Sequence, residues 1–362
     1  MTRKSVGRNV TQKLQRFRCL TCSCCWTQQR TTTRNRWSQR LIKQTVRSFV
    51  QGTSLRDLGR NLDVSWVTIH NWVIEYGEKV EDPVKIARKL NLSHWTGILF
   101  LDGKWISKNL VLLLAVDFGT LDAVAWLVCT CESEANYQRL IDLAKDCGYS
   151  IKAIISDGNS AIVALTQPKE VTSRKGTRRF PRPGVTPKLI QNRKLDVPHQ
   201  WCVVHAQRSI RTLTRYCSKD DRVWIEQRAN LILFARTPKN AKKYLQKLLW
   251  HMDLLNRCHK NVANFLLRNW DMLMIHHRVR INMRRIPRDT NGIENSISYL
   301  NKRFKTMKGL KTQKTARSIV SLIVFNYRKK PLDCTKNKLK KGKSPLQLAG
   351  AKNLQNERLG MW

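Results

Sequence analysis

The chain has 362 residues, enough for two or three domains with real cores, and 41% of them are hydrophobic, which excludes a disordered chain. It carries 68 Lys and Arg against 25 Asp and Glu, a formal charge of +43. That balance does not fit an ordinary enzyme. Spread along the whole chain, it needs a polyanion to offset its self-repulsion, and nucleic acid is the partner expected.

An anionic membrane is the alternative, but no lipidation signal or amphipathic anchor supports it. The most apolar run, residues 110–130, contains Asp117 and Asp122 and is not expected to span a bilayer. Met1-Thr2-Arg3-Lys4 lacks the apolar core of a secretion signal. The eleven cysteines are therefore expected as reduced thiols or metal ligands.

Residues 1–36 read as a basic, DNA-facing arm. Up to Arg56 there are thirteen Lys and Arg, and the first acid is Asp57. Cys19 and Cys22 have the spacing with which two thiolates grip one Zn²⁺. A full ribbon needs a second pair, and none precedes it. The alternative is a truncated knuckle with free thiols.

Residues 37–80 predict a helix-turn-helix. Leu41, Ile42, Val46, Phe49 and Val50 recur at helical spacing, and Gly52 stops that helix. Ser54 and Asp57 start a second helix like a capping box, Asp63-Val64 turns, and Ser65 caps a third. Such a third helix enters the major groove. Its outward residues are Trp66, Thr68, His70 and Asn71, and Asn can pair bidentately with adenine. Read blandly, they are solvated positions on a small bundle.

A linker, 81–96, follows. From Gly97 the period changes. Ile98 to Leu101 predicts a strand ending at Asp102. Two β-rich runs follow, separated by Gly119-Thr120-Leu121-Asp122, then a helix from Glu134 to Cys147, then a strand from Ile151 to Ser156 that ends at Asp157-Gly158. This order opens an RNase H-like domain. The expected class is thus α/β, with a mixed sheet flanked by helices over 97–201. Within it, residues 166–200 form a basic, proline-broken loop suited to phosphate contacts. Residues 202–285 predict an all-α insertion anchored by Trp224, Trp250 and Trp270. Residues 286–328 complete the catalytic domain and carry Glu294, and 329–362 form a basic tail.

Asp102, Asp157 and Glu294 lie 55 and 137 residues apart. The first gap holds strands and a crossover helix; the second requires an inserted domain. Two divalent ions about 4 Å apart, held by such carboxylates, activate a nucleophile and stabilise the leaving oxygen in phosphodiester cleavage. Singly, each acid reads as a turn former. Asp117 and Asp122 compete for the same role, and Asp289 competes with Glu294.

With these residues in view, the chain resembles a DDE transposase of the Mutator-like group over roughly residues 15–350. The matching pieces are Leu101-Asp102-Gly103, Ser156-Asp157-Gly158, Trp201 through Arg208, Thr290-Asn291-Gly292-Ile293-Glu294-Asn295, and Asn301-Lys302-Arg303-Phe304. Cys202 and His205 match the Cys-x-x-His element that follows the second acid in that group. The resemblance implies Asp102, Asp157 and Glu294 as ligands of Mg²⁺ or Mn²⁺, and Zn²⁺ at the N-terminal cysteines of some members. It implies binding to terminal inverted repeats and target DNA, and action as a homo-oligomer. The place implied is the nucleoid of a prokaryotic cytoplasm, or the nucleus of a eukaryote. The rival reading is a domesticated or decayed relative that binds DNA without cutting it; a non-specific nuclease is third.

Overall fold

A computed structural model of the chain describes residues 2–9, 12–18, 21–23, 25–27, 37–167, 169–172, 176–178, 190–191, 195–250, 257–305, 310, 312–333 and 337–352. The chain divides into two units, Met1–Arg47 and Ser48–Trp362.

In the first unit, β1 (Thr2–Asn9), β2 (Gln12–Arg18) and β3 (Cys25–Thr27) form an antiparallel meander. Cys19 lies outside the described residues. Cys22, in the β2–β3 turn, is an exposed free thiol. Helix α1 (Gln39–Gln51) then carries the chain across the division. Val46, Phe49 and Val50 are its buried stripe, as the spacing predicts.

Helices α2 (Leu55–Leu62) and α3 (Trp66–Glu78) follow the capping signals. Ser54 Oγ accepts from the Asp57 amide at 3.1 Å, and Ser65 Oγ accepts from the Val67 amide at 3.3 Å. Asp63, with φ 48°, makes the turn between them. Short α4 (Pro83–Lys89) leads into the sheet.

The sheet has five strands: β4 (Ile98–Ser107), β5 (Leu110–Asp117), β6 (Ala123–Cys129), β7 (Ala153–Ser156) and, after α5 (Glu134–Asp146), α6 (Ser160–Thr166) and a small sheet of β8 (Lys169–Thr172), β9 (Gly176–Arg178) and β10 (Ile190–Gln191), β11 (His199–Trp201). Its order is β11-β7-β4-β5-β6. β11, β7 and β4 run parallel, and β5 is antiparallel to both its neighbours. β5 is buried along its whole length, so it reads as a continuous apolar run rather than an alternating one. Much of the basic loop within 166–200 lies outside the described residues.

One expected boundary differs. β4 does not end at Asp102 but continues to Ser107, because β5 keeps pairing with it as far as Ser107↔Leu110. β7 stops sooner, at Leu101↔Ser156. Asp102 thus lies where the sheet loses one of two neighbours.

Helices α7 (Val203–Leu213), α8 (Lys219–Leu233), α9 (Pro238–Trp250), α10 (Arg257–Arg268) and α11 (Trp270–Arg278) build a separate apolar core around Ile210, Ile225, Ile232, Leu248 and Leu266. Trp224 and Trp270 pack against it. Trp250 does not: it is 85% exposed, because α9 buries the stripe Ala241, Leu245, Leu248 and Trp250 lies off it. Cys217 is disulfide-bonded, against the expectation of reduced thiols.

A hairpin of β12 (Arg280–Ile281) and β13 (Arg284–Arg285) precedes α12 (Asn291–Lys305), α13 (Gln313–Lys329) and α14 (Pro345–Leu348). α13 packs along β6 and also against α3, where Gly77 abuts the Ser318 backbone. Its last turn carries Arg328, which is fully buried. Among the described residues, no helix is long and apolar enough to cross a membrane.

Candidate active site

The site begins with strand register. Parallel β4 and β7 pair Leu101 with Ser156, so the next residue on each is an aspartate. β7 ends there because Gly158 takes φ +81° and Asn159 caps α6 through its Oδ1, 2.9 Å from the Ala161 amide. A side chain at 158 would run into the Trp201 ring. Asp102 Oδ1 accepts from the Gly103 amide at 2.9 Å, and Asp157 Oδ1 from the Asn159 amide at 2.8 Å. Among the described residues, no Lys or Arg pairs with either carboxylate. Burial first, then the charge of Asp157, push the Asp102 carboxyl up to about 6; His205 works against this and Glu132 adds to it.

Sequence reading missed Glu132. It lies between β6 and α5, and its Oε2 accepts from Asn159 Nδ2 at 2.5 Å and from Tyr137 Oη at 3.0 Å. Tyr137 is fully buried, and burial and then the Glu132 charge raise its phenol far above the ordinary value. Gly103 is needed here too: a Cβ would stand 2.7 Å from the Glu132 carboxyl and 2.8 Å from Tyr137 Oη.

The competing acids are committed elsewhere. Asp117 accepts from Thr96 N and Oγ1 at 2.9 and 2.6 Å, Thr120 N and Oγ1 at 2.9 Å each, and Tyr149 Oη at 2.7 Å. Asp122 takes Arg328 Nε and Nη2 at 2.7 and 2.9 Å and Trp95 Nε1 at 3.1 Å. With their oxygens occupied in the core, neither faces Asp102 or Asp157.

Cys202 and His205 sit at the start of α7, beside the carboxylates. The Cys202 amide bonds Ser156 O at 2.8 Å, and its Sγ lies 3.4 Å from Thr290 Oγ1. Burial alone would raise the Cys202 thiol, but His205 and Thr290 outweigh it and bring it below its ordinary value. The Cys202 sulfur raises His205 above its ordinary value, and Asp157 contributes in the same direction. Cys202 therefore ties the end of β7 to the segment that opens α12; Val203 N donates to Arg288 O at 3.0 Å within the same tie.

α12 runs from that tie to β4. Leu300, Asn301 and Phe304 close a small cavity with Asp102, Leu112 and Leu114. Asn301 Oδ1 is buried with no hydrogen-bond partner. Position 294 is in this helix, two turns before Asn301. The Glu294 side chain lies outside the described residues. Among those described, no three His, Cys, Asp or Glu side chains converge as a metal site.

No family model matches the chain, and no curated protein matches it.

On α3, Trp66 is 50% exposed and Asn71 is exposed, while Thr68 and His70 are half-buried. The opposite face, with Ile69, Trp72, Val73 and Tyr76, is buried. The four predicted DNA contacts therefore share an accessible helix surface, with exposed Val67 between them.

Proposed function

We propose that the chain is a DDE-type transposase that cuts DNA at element ends and joins the freed 3′ ends to target DNA. The observation that carries this is the pair Asp102 and Asp157: carboxylates on neighbouring parallel strands where β7 ends, with no Lys or Arg paired to them among the described residues, in a chain of charge +43. The charge of Asp157 raises Asp102, and a bound cation would relieve that repulsion. The all-oxygen donor set suits Mg²⁺ or Mn²⁺, and the orphaned Asn301 Oδ1 in the Asp102 cavity fits the same chemistry. The strand order, with one strand antiparallel to the other four, supports an RNase H-like reading of the sheet.

In this reading Asp102 and Asp157 would hold the metal, and Glu294, in the sequence of α12, would complete the set. The bound ions would supply Lewis-acid stabilisation of the scissile phosphate and a nucleophile at neutral pH. Cys202 would fix the segment before α12 against the end of β7, with His205 beside it. The exposed face of α3, with Trp66, Thr68, His70 and Asn71, reads the element ends, and Lys and Arg elsewhere hold the phosphates. A multimer that pairs two ends is part of the proposal. Zn²⁺ at Cys19 and Cys22 has only the sequence spacing behind it.

The test is Mg²⁺- or Mn²⁺-dependent nicking of duplex DNA carrying the ends of the element. Wild type should cut, and Asp157→Ala and Asp102→Asn should lose roughly a hundredfold to a thousandfold in rate, as expected when a ligand of the stabilising ion is removed. Equal cutting by wild type and Asp157→Ala overturns the assignment. Sequence-specific binding without metal-dependent cutting at any end favours the binding-only reading instead.

A further inference from the structure

Glu132 bridges the surroundings of the two aspartates. One oxygen, Oε2, takes hydrogen bonds from Asn159 Nδ2 and from Tyr137 Oη. Asn159 in turn holds Asp157 Oδ1 through its backbone amide and caps α6 with its own side chain. On the other side the Glu132 carboxyl lies over the Cα of Gly103, whose amide holds Asp102 Oδ1. The turn that carries Glu132 does not need it: Ser133 Oγ accepts from the Asn136 amide at 3.2 Å, and Asn136 Nδ2 donates to Cys131 O at 3.0 Å.

We propose that Glu132 is a positioning residue that sets the separation of Asp102 and Asp157, and so the affinity of that pair for a divalent cation. It acts by accepting two hydrogen bonds and by packing on Gly103, not by binding the ion. The inference rests on the metal-binding reading of the two aspartates given above.

The test is Mn²⁺ binding to the full chain, followed by the electron paramagnetic resonance of free Mn²⁺, with thermal unfolding as the folding control. Glu132→Gln keeps a carbonyl oxygen for both donors and should bind Mn²⁺ like wild type. Glu132→Ala should bind about tenfold or more weakly, the usual scale for groups that orient metal ligands. Asn159→Ser keeps a helix-capping oxygen but is too short to reach Glu132, and should match Glu132→Ala. If Glu132→Ala does not fold, the pair Glu132→Ala with Tyr137→Phe removes the buried hydroxyl left without an acceptor and carries the same expectation.

Wild-type affinity in Glu132→Ala or in that pair overturns the proposal. So does a Glu132→Gln as weak as Glu132→Ala, because charge would then matter and Glu132 would be a ligand. Cleavage by the same proteins separates the two readings. A wild type that binds Mn²⁺ but cuts no DNA overturns the transposase and leaves the role of Glu132. Equal Mn²⁺ binding by all variants, with cutting intact, overturns only that role. A wild type that binds no Mn²⁺ overturns both.

Discussion

Gly158 and His199 show how single residues hold the end of β7. Gly158 combines a φ of +81° with a ring directly over its Cα. Gly158→Ala must strain the backbone and displace Trp201, which packs edge-on against Phe265 with centroids 5.3 Å apart. A loss of about 1–3 kcal/mol is expected, read as a lower urea midpoint at unchanged slope. His199 is buried between Ser156 Oγ at 2.8 Å and Thr166 Oγ1 at 2.7 Å, and burial lowers it from its ordinary 6.5 to about 4. Above the ordinary value both folded and unfolded chains hold it neutral. As pH falls the unfolded chain takes the proton first, so stability drops between 6.5 and about 4, with no further loss from this group below. Urea midpoints across that window should fall for wild type and fall less for His199→Gln; equal slopes would show that His199 is not the titrating group. His276, also lowered to about 4 by burial first, adds to the residual slope. Of the site itself, Asp102 and Asp157 were legible as strand-end acids before glycines. Glu132 was not. An acid beside a helix start reads as a cap, and nothing in its spacing reveals that the strand-to-helix turn swings it over Gly103.

α13 is the element that locks the sheet. Arg328 and Asp122 are both fully buried and joined by two hydrogen bonds, Trp126 Nε1 donates to Ser321 Oγ at 3.1 Å, and Gln313 Nε2 donates to Val128 O at 2.8 Å. Removing one partner of a buried pair leaves the other charge uncompensated. Asp122→Ala should therefore destabilise the fold by about 3–5 kcal/mol in chemical denaturation, far more than loss of the exposed Arg60–Asp57 pair. The sequence could not choose between Asp122, Asp117 and the site acids, because their partners come from residues 96, 149 and 328, far apart along the chain. It did show the β4, β5, β6, α5, β7 order, since the strands are short apolar runs, the helix is capped, and turn residues separate them. It did not show β11: three residues, His-Gln-Trp, are too few for periodicity, and the strand exists only because β7 offers its free side. The extension of β4 past Asp102 was hidden for the same reason, being set by its partner β5 and not by its own residues.

At the scale of the whole molecule, charge dominates. With 68 Lys and Arg against 25 acids, DNA affinity should fall steeply with salt, by roughly 10³ or more between 50 and 200 mM if six or more phosphates are neutralised. Titration of duplex binding against salt measures this. Asn71→Ala should lower specificity for the element ends with little change of salt slope, and an unchanged specificity would remove α3 from sequence reading. The packing of α3 on α13, with Gly77 against Ser318, has a mechanical consequence. The same α13 is bonded to β6, and through the sheet to the strands that carry Asp102 and Asp157, so no free linker separates α3 from these two carboxylates. Under the proposed function the molecule is a ruler. The bases read at α3 fix which phosphate reaches the carboxylates, and the break falls at one set distance from the recognised sequence.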